Sequence, residues 1–233
     1  MIKMVARLRA LSRIAAAAIL FCLAAVTPAP AADPIRIGFS VALTGAVAAN
    51  GKQVLLAIQV WKDDINAKGG LLGRPVELVY YDDQSNPSLV PGIYTKLIEI
   101  DKVDLVVGPY GTNMIVPAIL TVQQYNYLTI GLFGVAANRE MHYRRYFSML
   151  PAGPDPMLAF SEGFFAIAMQ IEPKPRTVAI SGADAEFSKV STAGARINAK
   201  KAGLNIVYDK SYPPATTDFG PVVRAIQSAD ADI

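Results

Sequence analysis

Six residues, Gly108-Pro109-Tyr110-Gly111-Thr112-Asn113, leave a β-branched run and open an apolar helical one. Gly111 lets a ligand approach the backbone, Thr112 offers a hydroxyl, and the unpaired N–H groups of a helix start attract an anion. A carboxylate held there gains about 1.5–3 kcal/mol per charge-assisted hydrogen bond. The same residues serve equally as an ordinary helix cap, and motif chemistry alone does not separate the two. Tyr110, and Phe133 further on, have the bulk to line an apolar pocket or to pack internally.

Other chemical signatures are thin. Gly45 to Gln53 resembles a phosphate-binding loop, but five residues separate Gly45 from Gly51 where that motif needs four. Gln53 stands where a Ser or Thr would hold magnesium. No G-x-S-x-G occurs, and His142 is the only histidine, in the polar stretch Arg139 to Arg145. A lone histidine cannot build a multi-histidine metal site, and no nucleophile motif lies beside it. Asp82-Asp83 follows a strand and reads either as a metal or general-base pair or, more ordinarily, as a turn cap. No enzyme, metal or cofactor is expected.

The elements that must position these residues alternate. Ile35 to Val41, Val76 to Tyr81, Val103 to Val107 and Tyr127 to Ile130 read as strands, with Arg145 to Leu150 a further extended segment. Helices are expected over Gly51 to Lys68, from Asn86-Pro87 to Ile100, and over Asn113 to Tyr125. Val54, Leu55, Ile58, Trp61 and Ile65 mark the apolar face of the first. Pro91-Gly92 is expected to distort the start of the second. Three prolines within Pro151 to Pro156 then break any regular element and mark a domain crossing.

The pattern restarts beyond it, with a helix over Met157 to Gln170, a strand over Thr177 to Ile180, a helix over Glu186 to Lys201, a strand over Leu204 to Tyr208, and a helix over Phe219 to Ser228 behind Thr217-Asp218. Ala229 to Ile233 resembles the approach to another parallel strand. A second unit with two strands leaves an edge poorly covered, so the chain is expected to be truncated relative to a complete architecture. Ligands of open α/β sheets sit beyond the C-terminal strand ends, which singles out Ala42 to Asn50, Gly108 to Asn113, Gly131 to Asn138 and Ser181 to Glu186.

The front of the chain has its own form. Lys3, Arg7, Arg9 and Arg13 precede an apolar run from Ile14 to Val26, and Ala29-Pro30-Ala31 fits a small-residue cleavage site. That order is expected of a secretory signal peptide over 1–31. The run of about 13 residues falls short of the ~20 that span a bilayer, so no stable membrane insertion is expected after cleavage. Cys22, the only cysteine, lies inside it, and Phe21 before it does not suit lipidation. The net charge of +3 comes from these four basic residues; the remainder carries 18 basic against 19 acidic and gives no support for nucleic-acid binding.

Ile35-Arg36-Ile37-Gly38-Phe39 to Thr44-Gly45, Asn50-Gly51, Asp64-Ile65-Asn66-Ala67-Lys68-Gly69-Gly70, Tyr81-Asp82-Asp83 with Pro87, Val106-Val107-Gly108-Pro109, Asn138 and Thr217-Asp218-Phe219 together resemble the leucine/isoleucine/valine-binding proteins. These are type I periplasmic binding proteins of branched-chain amino-acid ABC transport. The resemblance runs from Ile35 to Ile233. It implies two Rossmann-like α/β lobes with parallel sheets, residues 32–150 and a partial 151–233, joined in the family by three crossings with ligand between the lobes.

The resemblance also implies site residues. Thr112 matches the hydroxyl residue that binds the ligand carboxylate, with Gly111 and Asn113 beside it. Gly134 and Val135 match the loop after the fourth strand. Val135 lacks the family's hydroxyl, which removes one ammonium contact. Phe187 matches the aromatic that closes over the ligand from the second lobe. The family's acidic ammonium partner and two of its crossings would fall past Ile233. Tyr110, Phe133, Val135 and Phe187 favour a hydrophobic amino acid or an apolar or aromatic carboxylate. The implied partner is a transporter permease at the inner membrane, the implied compartment the periplasm, and the implied state a monomer. The alternatives are an amide- or amino-acid-sensing domain of the same fold, or a nonfunctional truncated fragment that binds weakly or not at all.

Overall fold

The structure is a computed structural model that describes residues 33–150 and 153–233. The expected leader over 1–31, and Pro151-Ala152 of the proline-rich crossing, lie outside the described residues.

Strands β1 (Ile35–Val41), β2 (Val76–Asp82), β3 (Leu105–Tyr110), β4 (Thr129–Leu132) and β5 (Tyr146–Ser148) form one sheet in the order β2-β1-β3-β4-β5. Every pairing is parallel. Helices α1 (Ala48–Ala67), α2 (Val90–Glu99) and α3 (Thr112–Val122) make the crossovers. The chain turns to opposite sides after β1 and β3, so the loops leaving these strands diverge and open a crevice at their C-terminal ends. Tyr94 and Leu97 of α2, Met114, Ala118 and Val122 of α3, and Val103 and Val106 beside them form the main core. Tyr94 is wholly buried and donates its hydroxyl to the Val107 carbonyl at 2.5 Å, and burial holds its pKa far above the usual tyrosine value.

The second lobe holds β6 (Thr177–Ala183) and β7 (Asn205–Tyr212), paired in parallel, with helices α4 (Pro156–Ala168), α5 (Glu186–Lys201) and α6 (Gly220–Ser228). Phe165, Val178, Ile180, Ala199 and Leu204 form its core. The segment read as the approach to another strand does reach β6. Ala179 N–H donates to the Ile233 carbonyl at 2.8 Å, and Ile233 N–H donates to Thr177 at 3.3 Å.

Several expected boundaries shift for local reasons. β3 runs on to Tyr110, so Gly108-Pro109-Tyr110 belong to the strand and Gly111 alone joins β3 to α3. Pro109, which has no N–H for a ladder, falls in the register break between Val107 and Tyr110. β6 likewise continues through Ala183, past the expected end at Ile180. A 3-10 turn over Pro87–Leu89, with the Asn86 side chain accepting from Ser88 N–H at 3.0 Å, precedes α2 where distortion was expected. In α6, Phe219 takes the cap position, and the Asp218 carboxylate accepts from Gly220 N–H at 2.8 Å. Trp61, expected on the buried face of α1, is 42% exposed.

Candidate functional site

Sequence-predicted residues from three segments meet at the C-terminal ends of the first sheet. Gly111 takes φ +88°, a conformation that only glycine adopts without strain, and its N–H donates to the Leu132 carbonyl at 3.1 Å. This ties the start of α3 to the end of β4. Met114 and Ile115 N–H both return to the Gly111 carbonyl. Thr112 and Asn113 N–H have no acceptor among the described residues, and α3 has no side-chain cap. Two donors at a helix start are thus left for a ligand or water.

The Thr112 hydroxyl is not freely displayed. Thr112 is 1% exposed, and its Oγ1 accepts from Val135 N–H at 2.9 Å. The Val135 N–H is therefore already used within the protein. A threonine hydroxyl that accepts one bond still has its own O–H to donate. Gly134 is constrained by packing: a Cβ there would lie 2.8 Å from Ile115 Cδ1 and 3.2 Å from the Tyr146 hydroxyl.

Aromatic rings gather beside this polar knot. Tyr110 and Phe133 lie 5.6 Å apart between centroids, and Asn50 donates from its carboxamide to the Tyr110 hydroxyl at 3.2 Å. Phe133 is 51% exposed at φ +55°, a backbone state that costs a bulky residue energy. From the second lobe, Phe187 N–H donates to Asn113 Oδ1 at 2.8 Å. The Phe187 ring, 38% exposed, meets Phe160 edge-on at 5.3 Å. Phe160 lies outside the loops that the sequence singles out, and Asn50 ends one of them, but neither is expected as an individual site residue. The one available signal for Phe160 was its i, i+4 spacing to Phe164 on α4, both of them exposed.

A cavity of about 410 Å³ opens nearby, between the β4–β5 loop and the start of α4, lined by Gly134, Asn138, Arg139, His142, Tyr146 and Asp155 among others. Of the predicted ligand residues, Gly134 lines it. The Tyr146 hydroxyl is buried without a hydrogen-bond partner among the described residues, and burial raises its pKa. His142 is exposed, in agreement with a solvated loop position.

Asp82 and Asp83 act as turn caps. The Asp82 carboxylate accepts from the Thr44 hydroxyl at 2.7 Å and from the N–H groups of Leu43, Thr44 and Gln84. Desolvation pushes its pKa up, but these four bonds outweigh it and hold it below the usual value. Asp83 is buried and accepts from the Ser40 hydroxyl at 2.9 Å and Ser85 N–H at 3.1 Å. Burial, aided by the Asp82 charge, raises its pKa. Among the described residues no group of three His, Cys, Asp or Glu is placed to hold a metal.

The Asp83 shift gives a pH prediction. A raised folded pKa means that the native state keeps the proton longer than the unfolded chain does. Its contribution is therefore fully present below the unfolded value of about 3.9 and is lost as pH rises through the folded value. Asp83→Asn removes that loss. Urea unfolding is expected to show the variant more stable than the parent at pH 7, with the gap closing towards pH 4.

Residues 34–233 match the family described as periplasmic binding protein. The leucine-specific-binding protein of Salmonella typhimurium is 27% identical over 210 residues, which cover 89% of this chain and 55% of that protein. Among solved structures, an ABC transporter substrate-binding protein from Sphaerobacter thermophilus is similar with a TM-score of 0.69 at 26% identity, covering 84% of this chain and 52% of that one. A solute binding protein of R. palustris, in complex with 4-hydroxybenzoate, shares the fold with a TM-score of 0.73 at 23% identity, over 86% and 52%. The chain spans about half the length of the curated relatives it matches. Its parallel sheets, the crevice at their C-terminal ends and the match from residue 34 to residue 233 lead to one assignment: the chain belongs to the periplasmic binding protein family.

Proposed function

We propose that the chain carries ligand-capturing machinery of an ABC transporter receptor for hydrophobic amino acids or apolar or aromatic carboxylates. One observation carries this reading: two N–H groups without an acceptor among the described residues and a threonine at the start of α3 sit beside Tyr110 and Phe133, where Phe187 arrives from the second lobe. The N–H groups suit a carboxylate, and the rings suit an apolar body. Val135, without a hydroxyl, gives one contact fewer to a ligand ammonium. The names of relatives agree in chemistry, since the Salmonella typhimurium protein is leucine-specific.

In this reading ligand docks first on the lobe of residues 32–150, through Gly111, Thr112, Asn113 and Gly134. The lobe of residues 153–233 then closes about the segment Gly153–Pro156 and brings Phe187 over it. Closure excludes water and strengthens each polar contact. The closed surface is what a membrane permease would recognise, and the balance shifts only by the ligand's differential affinity for the two states. Export by the leader places the receptor in the periplasm. Among the described residues no helix is long and apolar enough to cross a membrane.

Isothermal titration with leucine, phenylalanine and 4-hydroxybenzoate, against glutamate and glucose, tests the proposal. Binding near micromolar, equivalent to about 8 kcal/mol, is expected for at least one of the first three. Tight binding confined to glutamate or glucose would reject it.

A further inference from the structure

Helix α5 begins badly. Ala185 holds its cap position, a residue with no side-chain acceptor, and α5 has no cap bond of its own. Asparagine is among the best residues for that place and alanine among the worst. Phe187 N–H, one of the orphan donors of the first turn, is satisfied from the other lobe, by the carboxamide oxygen of Asn113 at 2.8 Å across 74 residues of sequence.

Asn113 is itself in the first turn of α3. Two helix starts therefore come within one side chain of each other, and both present partial positive charge. Bringing them together is unfavourable unless something negative or electron-rich lies between. The Asn113 oxygen is such a group. Pro117, four residues on, has no N–H, so the Asn113 backbone carbonyl also lacks its helical partner. The residue that bridges the lobes is thus bonded to its own helix less completely than its neighbours are.

We propose that Asn113 is a clasp, a positioning residue that caps α5 in trans only when the lobes are closed. It sets the open–closed balance before ligand arrives and fixes Phe187, whose ring is braced by Phe160, over the crevice. The site role of Asn113 is then to hold the second lobe rather than to touch ligand through its side chain. The inference deepens the receptor reading and rests on it for the word ligand, but the clasp itself is testable without one.

The test places spin labels at Gln124→Cys and Lys200→Cys, exposed positions on the two lobes, with Cys22→Ser in the background. Distance distributions are measured without ligand for the parent, Asn113→Ala and Asn113→Asp. Truncation of a cap shifts its equilibrium about twofold to thirtyfold, so Asn113→Ala is expected to raise the open-to-closed ratio by about fivefold. Asn113→Asp keeps the acceptor and is expected to remain at least as closed as the parent, an outcome that general loss of packing would not give. Equal distributions for the parent and Asn113→Ala overturn the clasp, as does opening of both variants alike. Titration of the same samples with leucine, phenylalanine and 4-hydroxybenzoate reads the receptor proposal separately. Ligand-independent opening of Asn113→Ala together with no binding by any variant leaves the clasp standing and the ligand reading rejected.

Discussion

Gly51→Ala and Gly194→Ala are each expected to destabilise the fold by about 2 kcal/mol, although both sit in helices where alanine is intrinsically the better residue. Gly51 lies in the first turns of α1, and a Cβ there would stand 1.9 Å from the Ala42 carbonyl oxygen. Gly194 lies in α5, and its Cβ would stand 2.0 Å from the Met157 carbonyl oxygen. Both obstacles are backbone, which cannot rotate away as a side chain would. Alanine returns about 1 kcal/mol of helix propensity, while overpacking against a rigid wall costs about 3 kcal/mol. The clash wins. Gly92 of α2 is the control, since a Cβ there meets nothing within 4 Å. Gly92→Ala is expected to stabilise by about 0.5–1 kcal/mol. Guanidinium unfolding of the three variants checks the opposite signs, and stabilisation by Gly51→Ala would show that the β1–α1 loop yields.

Local signals placed the elements well where they were self-contained. The bounds of α5, Glu186 to Lys201, follow from helical residues closed by Gly203 at φ +78°. Tertiary effects escaped the same reading. Trp61 has the right spacing for a buried face, but α1 covers only part of the sheet, and Leu105 and Ile130 remain exposed on the strands beyond. β3 outran its β-branched core because Gly108 packs closely against β4, with its would-be Cβ 3.2 Å from the Ile130 carbonyl, a fit no propensity encodes. The candidate site residues stood out only as types, a glycine, a hydroxyl and aromatic groups at strand ends, which serve equally as cap and packing. Their partners were not. Thr112 meets Val135 across 23 residues, and Asn113 meets Phe187 across 74. Those pairings exist only once the sheet order brings β3 beside β4 and the crossing folds the second lobe back.

Thr112→Val is the sharpest probe of that convergence, because valine keeps the shape and removes only the oxygen. Two losses are expected. The Val135 N–H, buried with its residue at 1% exposure, loses its acceptor, and an orphaned buried donor costs about 1–3 kcal/mol of stability. The ligand carboxylate loses the hydroxyl donor, and a hydrogen bond to a charged group is worth about 1.5–3 kcal/mol, which is about 10- to 100-fold in affinity. Thr112→Ser retains both roles and is expected to bind within about threefold of the parent. The two losses separate experimentally: thermal unfolding without ligand reads the first, and titration with leucine or an aromatic acid reads the second. Reduced stability with unchanged affinity would assign the hydroxyl to the β4–β5 loop alone and leave the carboxylate to the free N–H groups of α3. Loss of both places one side chain at the hinge of the mechanism, where the oxygen that holds the loop against α3 also meets the ligand.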